Sequence, residues 1–363
     1  MYRIGFIIKG YEGKSEYYSA NVKPFVDLSY GLKLIGYETI LLIDESERHL
    51  ERKIKSIIGD EVNIIYFNSS NIEKLKGETS IEYIIVEDNI DMMKTALKFR
   101  NKGIKIAVFV QYLFGVNTNR KIKRTGSIQL TLGSYLPWRL LTKIYTDLLA
   151  QFDYILPNSH TCGYLLRQLY DVHPSGTVYP PVGVDMRSIL EKMNKKVEKS
   201  GILIFAGNID NDYFFRNIKE EIKKFLTDLN EPVKLFVSNH ETAKYFSQNG
   251  VELYSKLPVE ELVKLYVESK ITYVPTEYEL FGHVGAESLL CGTPIILDAY
   301  HPFLESFPME TKAVRIAHPN NRISEVFLRM MGQEIDTELA KKSILVRYSA
   351  QESAKLLLRA IEL

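Results

Sequence analysis

The sequence predicts an α/β fold of two parallel-sheet domains, and three observations carry that reading. The first is length: 363 residues exceed what one hydrophobic core usually serves. The second is alternation. Short β-branched runs recur along both halves of the chain, separated by amphipathic stretches of helical period, as in strands joined by crossover helices. The third is a break in composition. Tyr179-Pro180-Pro181-Val182-Gly183-Val184-Asp185 is rich in Pro and Gly, and a very polar stretch from Glu191 to Ser200 follows it, as expected of an interdomain linker.

In the first half, strands are expected from Tyr2 to Ile8, Tyr37 to Ile43, Val62 to Phe67, Tyr83 to Val86, Ile104 to Val110 and Tyr154 to Leu156. Helices are expected from Lys23 to Ile35, with Gly36 as its left-handed stop, and near 90–102, 136–150 and 159–170. After Gly201 a second series begins, with strands at 202–206, 233–237, 251–254, 271–274 and 294–297. Helices near 212–229, 241–249, 259–269 and 283–290 intervene, and the tail from Glu325 reads as helical. The expected domains are residues 1–182 and 183–346, with a C-terminal helix over 347–363 returning to the first. Two Rossmann-like domains facing one cleft is the simplest such architecture, with ligands outside the carboxyl ends of the strands.

Composition narrows the function classes. With 45% hydrophobic and 25% charged residues the chain is an ordinary globular one, and a net charge of +1 gives no overall bias toward nucleic acid. Cys162 and Cys291 are far apart, which excludes a disulfide scaffold and a cysteine-rich zinc site. The start lacks the apolar core of a signal peptide, and no apolar run approaches the ~18 residues of a membrane span, so a cytoplasmic protein is expected.

The most informative stretch runs from Tyr273 to Pro294. A strand ends at Pro275, a loop carries Glu279, and a helix begins near Gly282. The small residues Gly282, Gly285 and Ala286 are expected to let a ligand approach the helix start, where free N–H groups and the helix dipole would hold a phosphate. Glu287, about one turn on, is placed to accept two hydrogen bonds from a ribose diol, and Glu279 to reach the hydroxyls of a sugar beyond the phosphates. Two solvated glutamates beside a helix start would show the same spacing, so the context decides.

That context resembles the retaining GT-B glycosyltransferases of family 4, the group 1 type. Their two glutamates, separated by seven residues, appear here within Pro275, Glu279-Leu280-Phe281-Gly282, Glu287 and Cys291-Gly292-Thr293-Pro294. Lys256-Leu257-Pro258-Val259-Glu260-Glu261-Leu262, Leu265-Tyr266, Asn158-Ser159 and the linker are similar to further family segments. The resemblance covers the second domain strongly and the first in outline. It implies a GT-B fold with an acceptor-side first domain and a donor-binding second one. It also implies that Glu279 contacts the donor sugar, Glu287 the ribose, and the N–H groups around Phe281, Gly282 and His283 the sugar or diphosphate. Such enzymes look metal-independent and need no cofactor beyond the nucleotide-sugar substrate.

The chain departs from the family's pattern in places. Where members carry Gly-Arg after the first strand of the second domain, this sequence has Gly207-Asn208, so one phosphate-binding cation is missing. Arg216, or Lys219 one turn on, stands where the family's Lys is expected. In the first domain the family's His is replaced by Gln111, followed by Tyr112; Gln111 can orient a hydroxyl but carries no proton at neutral pH. Gly10 and Gly13 lie in a first loop that resembles the family's glycine-rich turn and equally reads as a plain β–α turn.

Between Asp91 and Asp147 there are eleven Lys or Arg and no acidic residue, mixed with Tyr112, Phe114, Tyr135 and Trp138. The basic 94–143 region fits an anionic membrane surface or lipid-phosphate acceptor, or else a solvated loop followed by a core-facing helix. No nucleic-acid motif accompanies it, and the loop from Phe114 to Ser134 would serve as an acceptor lid. The expected function is hexosyl transfer from a nucleoside-diphosphate sugar to a glycan, lipid-linked or polysaccharide acceptor. The competing readings are a binding protein that has lost turnover and a nucleotide-sugar epimerase on the same scaffold.

Overall fold

The computed structural model describes the chain outside residues 1, 9–21, 60–61, 69–70, 73–74, 76–79, 101–102, 112, 114–137, 194–196, 208–211, 238–250, 276–279, 300, 308–310 and 319–320, and the side chains outside 138–141, 207 and 212–219 as well. The chain divides into two compact units, Met1–Val184 with Tyr348–Leu363, and Asp185–Arg347.

The first unit is built on β1 (Arg3–Ile8), β2 (Glu38–Asp44), β3 (Asn63–Phe67), β4 (Tyr83–Glu87), β5 (Lys105–Val110) and β6 (Tyr154–Pro157). All six pair in parallel, in the order β3-β2-β1-β4-β5-β6. The near-continuous apolar runs of β1, β4 and β5 follow from burial on both faces of a parallel sheet. Helices α1 (Lys23–Leu34), α2 (Leu50–Ile58), α3 (Ile90–Lys98), α4 (Trp138–Leu149) and α5 (His160–Tyr170) connect them. Local chemistry starts several of these. Pro24 sits in the first turn of α1, Asn89 accepts from the N–H of Asp91 at 2.9 Å ahead of α3, and Ser159 accepts from that of Cys162 at 2.9 Å ahead of α5.

The second unit repeats the plan. Its strands are β7 (Ile202–Gly207), β8 (Val233–Val237), β9 (Glu252–Tyr254), β10 (Ile271–Val274), β11 (Ile295–Asp298) and β12 (Val314–Ala317), in the order β12-β11-β10-β7-β8-β9 and again all parallel. Read from β9, the connectivity is that of the first sheet. Its helices are α6 (Arg187–Lys192), α7 (Asp212–Thr227), α8 (Val259–Val267), α9 (His283–Leu290), α10 (Ile323–Met331) and α11 (Glu338–Arg347). The last helix, α12 (Ala350–Ala360), belongs to the first unit: Ala354, Leu357 and Leu358 join the core formed by Phe25, Leu28 and Phe109. It lies so close to α1 that a Cβ on Gly31 would meet the Ala350 carbonyl oxygen at 2.0 Å.

Three elements were not expected from the sequence: α2, the short α6 beside the linker, and β12. Helix α2 buries Leu50, Ile54 and Ile58, one face at i, i+4, i+8, within a stretch whose charged residues hid the period. Strand β12 has four residues and is interrupted by Arg315, too short for alternation to register. The helix expected at 241–249 lies outside the described residues. Among the described residues no helix is long and apolar enough to cross a membrane.

Candidate functional site

In each sheet the winding reverses at the centre, between β1 and β4 and between β7 and β10. At such a switch point the loops leaving the carboxyl ends part to opposite faces and make room for a ligand. In the second unit β7 ends there with Gly207, and the segment after β10 leads into α9.

The start of α9 is set by Gly282, the N-cap, at φ 98° and ψ 56°. This left-handed conformation costs an L-residue about 1–2 kcal/mol and is free for glycine. Among the described residues no side chain caps the helix, and the dipole of a helix start favours an anion. Packing also bears on both glycines. A Cβ on Gly282 would lie 2.5 Å from His301 Cε1 and 2.9 Å from Phe303 Cβ, and one on Gly285 would lie 3.0 Å from the Phe303 ring. His301 is itself fixed, its Nδ1 accepting from the N–H of Phe303 at 3.1 Å. Phe281 is buried with its ring 6.3 Å from that of Phe303 and 5.0 Å from that of His283, the half-buried first residue of α9.

Glu287 is the fifth residue of α9 and only 9% exposed. The hydroxyl of Tyr266, a fully buried residue of α8, donates to its Oε2 at 3.3 Å. The next residue anchors the helix: the Ser288 hydroxyl donates to the Thr293 carbonyl at 3.0 Å and shares a hydrogen bond with Thr272 at 2.8 Å. Thr293 in turn donates to the Tyr266 carbonyl at 2.7 Å and accepts from Lys199 Nζ at 2.8 Å, while Lys199 also donates to the Gly292 carbonyl at 3.0 Å. A cation thus sits at the C-terminal end of α9, where the dipole favours it, although burial holds the Lys199 ammonium below its usual pKa. Burial, with Glu287 as the second cause, pushes the Cys291 thiol far above its usual range, so it is no nucleophile.

In the first unit Gln111 follows β5 directly and is buried. Its N–H donates to Asp88 Oδ1 at 2.8 Å, and Asp88 Oδ2 accepts from the N–H of Leu113 at 3.1 Å and from the Tyr145 hydroxyl at 3.0 Å. Asp88 was not legible as this anchor, since its partners lie 23 to 57 residues away. Beside it Glu87 is 1% exposed, and burial, then the charge of Asp88, holds its carboxyl well above the usual range. Glu87, Gln111 and Asn158 stand at odd and even positions that place all three on one face at the carboxyl edge of β4, β5 and β6, continuing the rows of Tyr83 and Ile85, of Ala107 and Phe109, and of Tyr154 and Leu156. Glu87 Oε1, Gln111 Nε2 and Asn158 Oδ1 are buried with no hydrogen-bond partner among the described residues.

The remaining expected site residues are placed only in part. Gly207 ends β7, and Arg216 and Lys219 lie on α7, the helix that follows it. Glu279, Asn208, Gly10, Gly13 and Tyr112 lie outside the described residues, as does most of the basic 94–143 region. Tyr266 was noted in the sequence as part of a family-like helix, but nothing there revealed its hydrogen bond across to α9.

Residues 186–342 match the family model described as Glycosyl transferases group 1. An uncharacterized 41.2 kDa protein in the cps region of Klebsiella pneumoniae is 27% identical over 175 residues, which is 44% of this chain and 47% of that protein, so the match spans about half of the relative's length. Among solved structures, a glycosyltransferase from Rickettsia africae ESF-5 superposes with a TM-score of 0.67 at 12% identity, covering 98% of this chain and 97% of its own. A UDP-GlcNAc 2-epimerase from Methanocaldococcus jannaschii, in complex with UDP-GlcNAc and UDP, superposes with a TM-score of 0.56 at 11% identity, covering 99% of each chain. At these identities the likeness is one of fold, the two-sheet GT-B architecture, which transferases and epimerases share.

Proposed function

We propose that this chain, whose second unit matches the family model described as Glycosyl transferases group 1, moves a hexosyl group from a nucleoside-diphosphate sugar to a glycan, lipid-linked or polysaccharide acceptor, with retention of configuration. One observation carries the reading: a buried carboxylate, Glu287, stands one turn inside a helix that starts at a left-handed glycine and follows β10, a strand at the switch point of the second sheet. In this reading the amides at Gly282, His283 and Val284 hold the diphosphate, Glu287 accepts from the ribose hydroxyls, and Glu279 orients the sugar. Arg216 or Lys219 supplies the cation that the Asn208 position lacks. The bond from the anomeric carbon to the diphosphate oxygen breaks, the acceptor oxygen bonds to the same face of that carbon, and its proton passes to the departing phosphate. No metal takes part, so activity should survive chelation by EDTA. The basic 94–143 region would draw the enzyme to anionic lipid, which flotation with liposomes of graded anionic content tests.

The experiment pairs two variants. Glu279→Gln should lower turnover more than it weakens nucleotide binding, and Glu287→Ala should weaken nucleotide binding first, by tenfold or more. If both variants bind and turn over as wild type does, the assignment is wrong. A second reading, nucleotide-sugar binding without turnover, is favoured by Gln111, which offers no titrating group where the family carries a histidine. Binding of a nucleoside diphosphate with neither transfer nor hydrolysis of any of a panel of nucleotide sugars would establish it in place of the first.

A further inference from the structure

We infer that Tyr266 is a positioning residue for the nucleotide site: it aims the Glu287 carboxylate at the ribose hydroxyls. The inference rests on the reading of Glu287 proposed above. Its own support is geometric. Tyr266 is fully buried, and its hydroxyl reaches from α8 to Glu287 Oε2 on α9, two helices joined in sequence only through β10 and the loop after it. The phenol is held at two other points. Its ring lies parallel to that of Phe205 in β7, at 6.3 Å and 12°. Its carbonyl accepts from Thr293, whose hydroxyl is locked by Lys199. A donor fixed at ring and backbone offers its O–H in one direction, so the carboxylate it binds is selected in one rotamer before any ligand arrives.

The choice of a phenol has a chemical consequence. A lysine or arginine here would hold Glu287 more tightly but would compete with an incoming diol for its charge. A phenol donates one hydrogen bond and leaves the negative charge in place, so that a hydroxyl of the ligand still meets an anionic acceptor. The same phenol sits between β7 and α9, the two elements that border the switch point, and ties the orientation of Glu287 to the stacked Phe205 and Phe236 rings of the sheet.

The test uses the full chain with Tyr266→Phe, Glu287→Gln and the double variant, titrated calorimetrically with UDP, ADP and GDP and with the 2′-deoxy diphosphate of whichever base binds best. Tyr266→Phe should weaken the ribonucleotide about 2- to 10-fold, weaken the 2′-deoxy ligand, which keeps one of the two hydroxyls, by less, and add nothing in the Glu287→Gln background. With a nucleotide sugar that supports turnover, KM should rise by the same factor while kcat holds. A melting temperature within a degree or two of wild type shows that the ring still packs. Wild-type affinity in Tyr266→Phe, an equal loss for both ligands, or an additive double variant overturns the inference while leaving the nucleotide site standing. Failure of the wild-type chain to bind any of the three diphosphates overturns both.

Discussion

Gly282→Ala tests the geometry on which the site depends. Two costs are readable from the structure. At φ 98° the alanine would occupy left-handed backbone, worth about 1–2 kcal/mol. Its Cβ would also lie 2.5 Å from His301 Cε1 and 2.9 Å from Phe303 Cβ. Neither neighbour is the loose end of a flexible chain: both are buried, and His301 is tied to the Phe303 N–H. Relief of that overlap costs about 1–3 kcal/mol, for a total of about 2–5 kcal/mol. Gly285→Ala is the control. It has a helical backbone, its Cβ would meet the Phe303 ring edge at 3.0 and 3.3 Å and Ile295 Cδ1 at an ordinary 3.5 Å, and the gain in helix propensity of about 0.5–1 kcal/mol offsets much of the strain. Because the chain has two units, a single unfolding free energy is not a clean readout, so the assay is amide hydrogen exchange of peptides covering α9. Gly282→Ala should speed their exchange about thirtyfold to several-thousandfold, whereas Gly285→Ala should change it less than tenfold. Equal exchange in the two variants would refute the argument that the glycine is required by backbone and packing at the helix start.

The first unit supports two further predictions. Glu87 is buried with its pKa raised, so the native state holds a proton that the unfolded chain releases near the ordinary carboxylate value; stability is present below that value and falls as pH rises toward the raised one, by up to about 1.4 kcal/mol per pH unit. Glu87→Gln should remove this slope and raise the melting temperature at pH 8 relative to wild type while changing little at pH 4, and parallel pH profiles would contradict it. Gly31→Ala would drive a Cβ into the Ala350 carbonyl at 2.0 Å, so α12 should lift from α1; limited trypsin digestion should cut after Arg347 or Lys355 at least tenfold faster, and unchanged digestion would count against that packing.

What the sequence could and could not disclose follows from the range of each interaction. Strand and helix positions were legible because a parallel sheet buried on both faces writes itself as apolar runs such as Ile4 to Ile8 and Ile84 to Val86. Helix α2 and strand β12 were missed where charged residues broke the pattern within a few positions. At the site, Glu287 was visible by its spacing and setting, but the contacts that fix it were not. Tyr266 is 21 residues from Glu287, and Asp88 holds loop amides more than 20 residues away. No local pattern reports pairings of that kind. The packing demand on Gly282 was hidden for the same reason: His301 and Phe303, which a Cβ there would meet, arrive from a later loop.

That packing bears on what the sequence motif is evidence for. Of its described residues, Phe281, Gly282 and Gly285 answer to Phe303 and His301, and Ser288 and Thr293 to Thr272, Tyr266 and Lys199. Packing and internal hydrogen bonds account for all of these, so their agreement with a family speaks first for a helix held in one place. Glu287 is different. Anchoring α9 needs only the hydroxyls of Ser288 and Thr293, and a leucine or glutamine would fill the Glu287 position without the desolvation that a carboxylate carries at 9% exposure. The Tyr266 phenol orients that carboxylate. A ligand that brings hydroxyl donors to the carboxylate and an anion to the helix start answers both features at once, and a nucleoside diphosphate carries the two at the required spacing of about one helical turn.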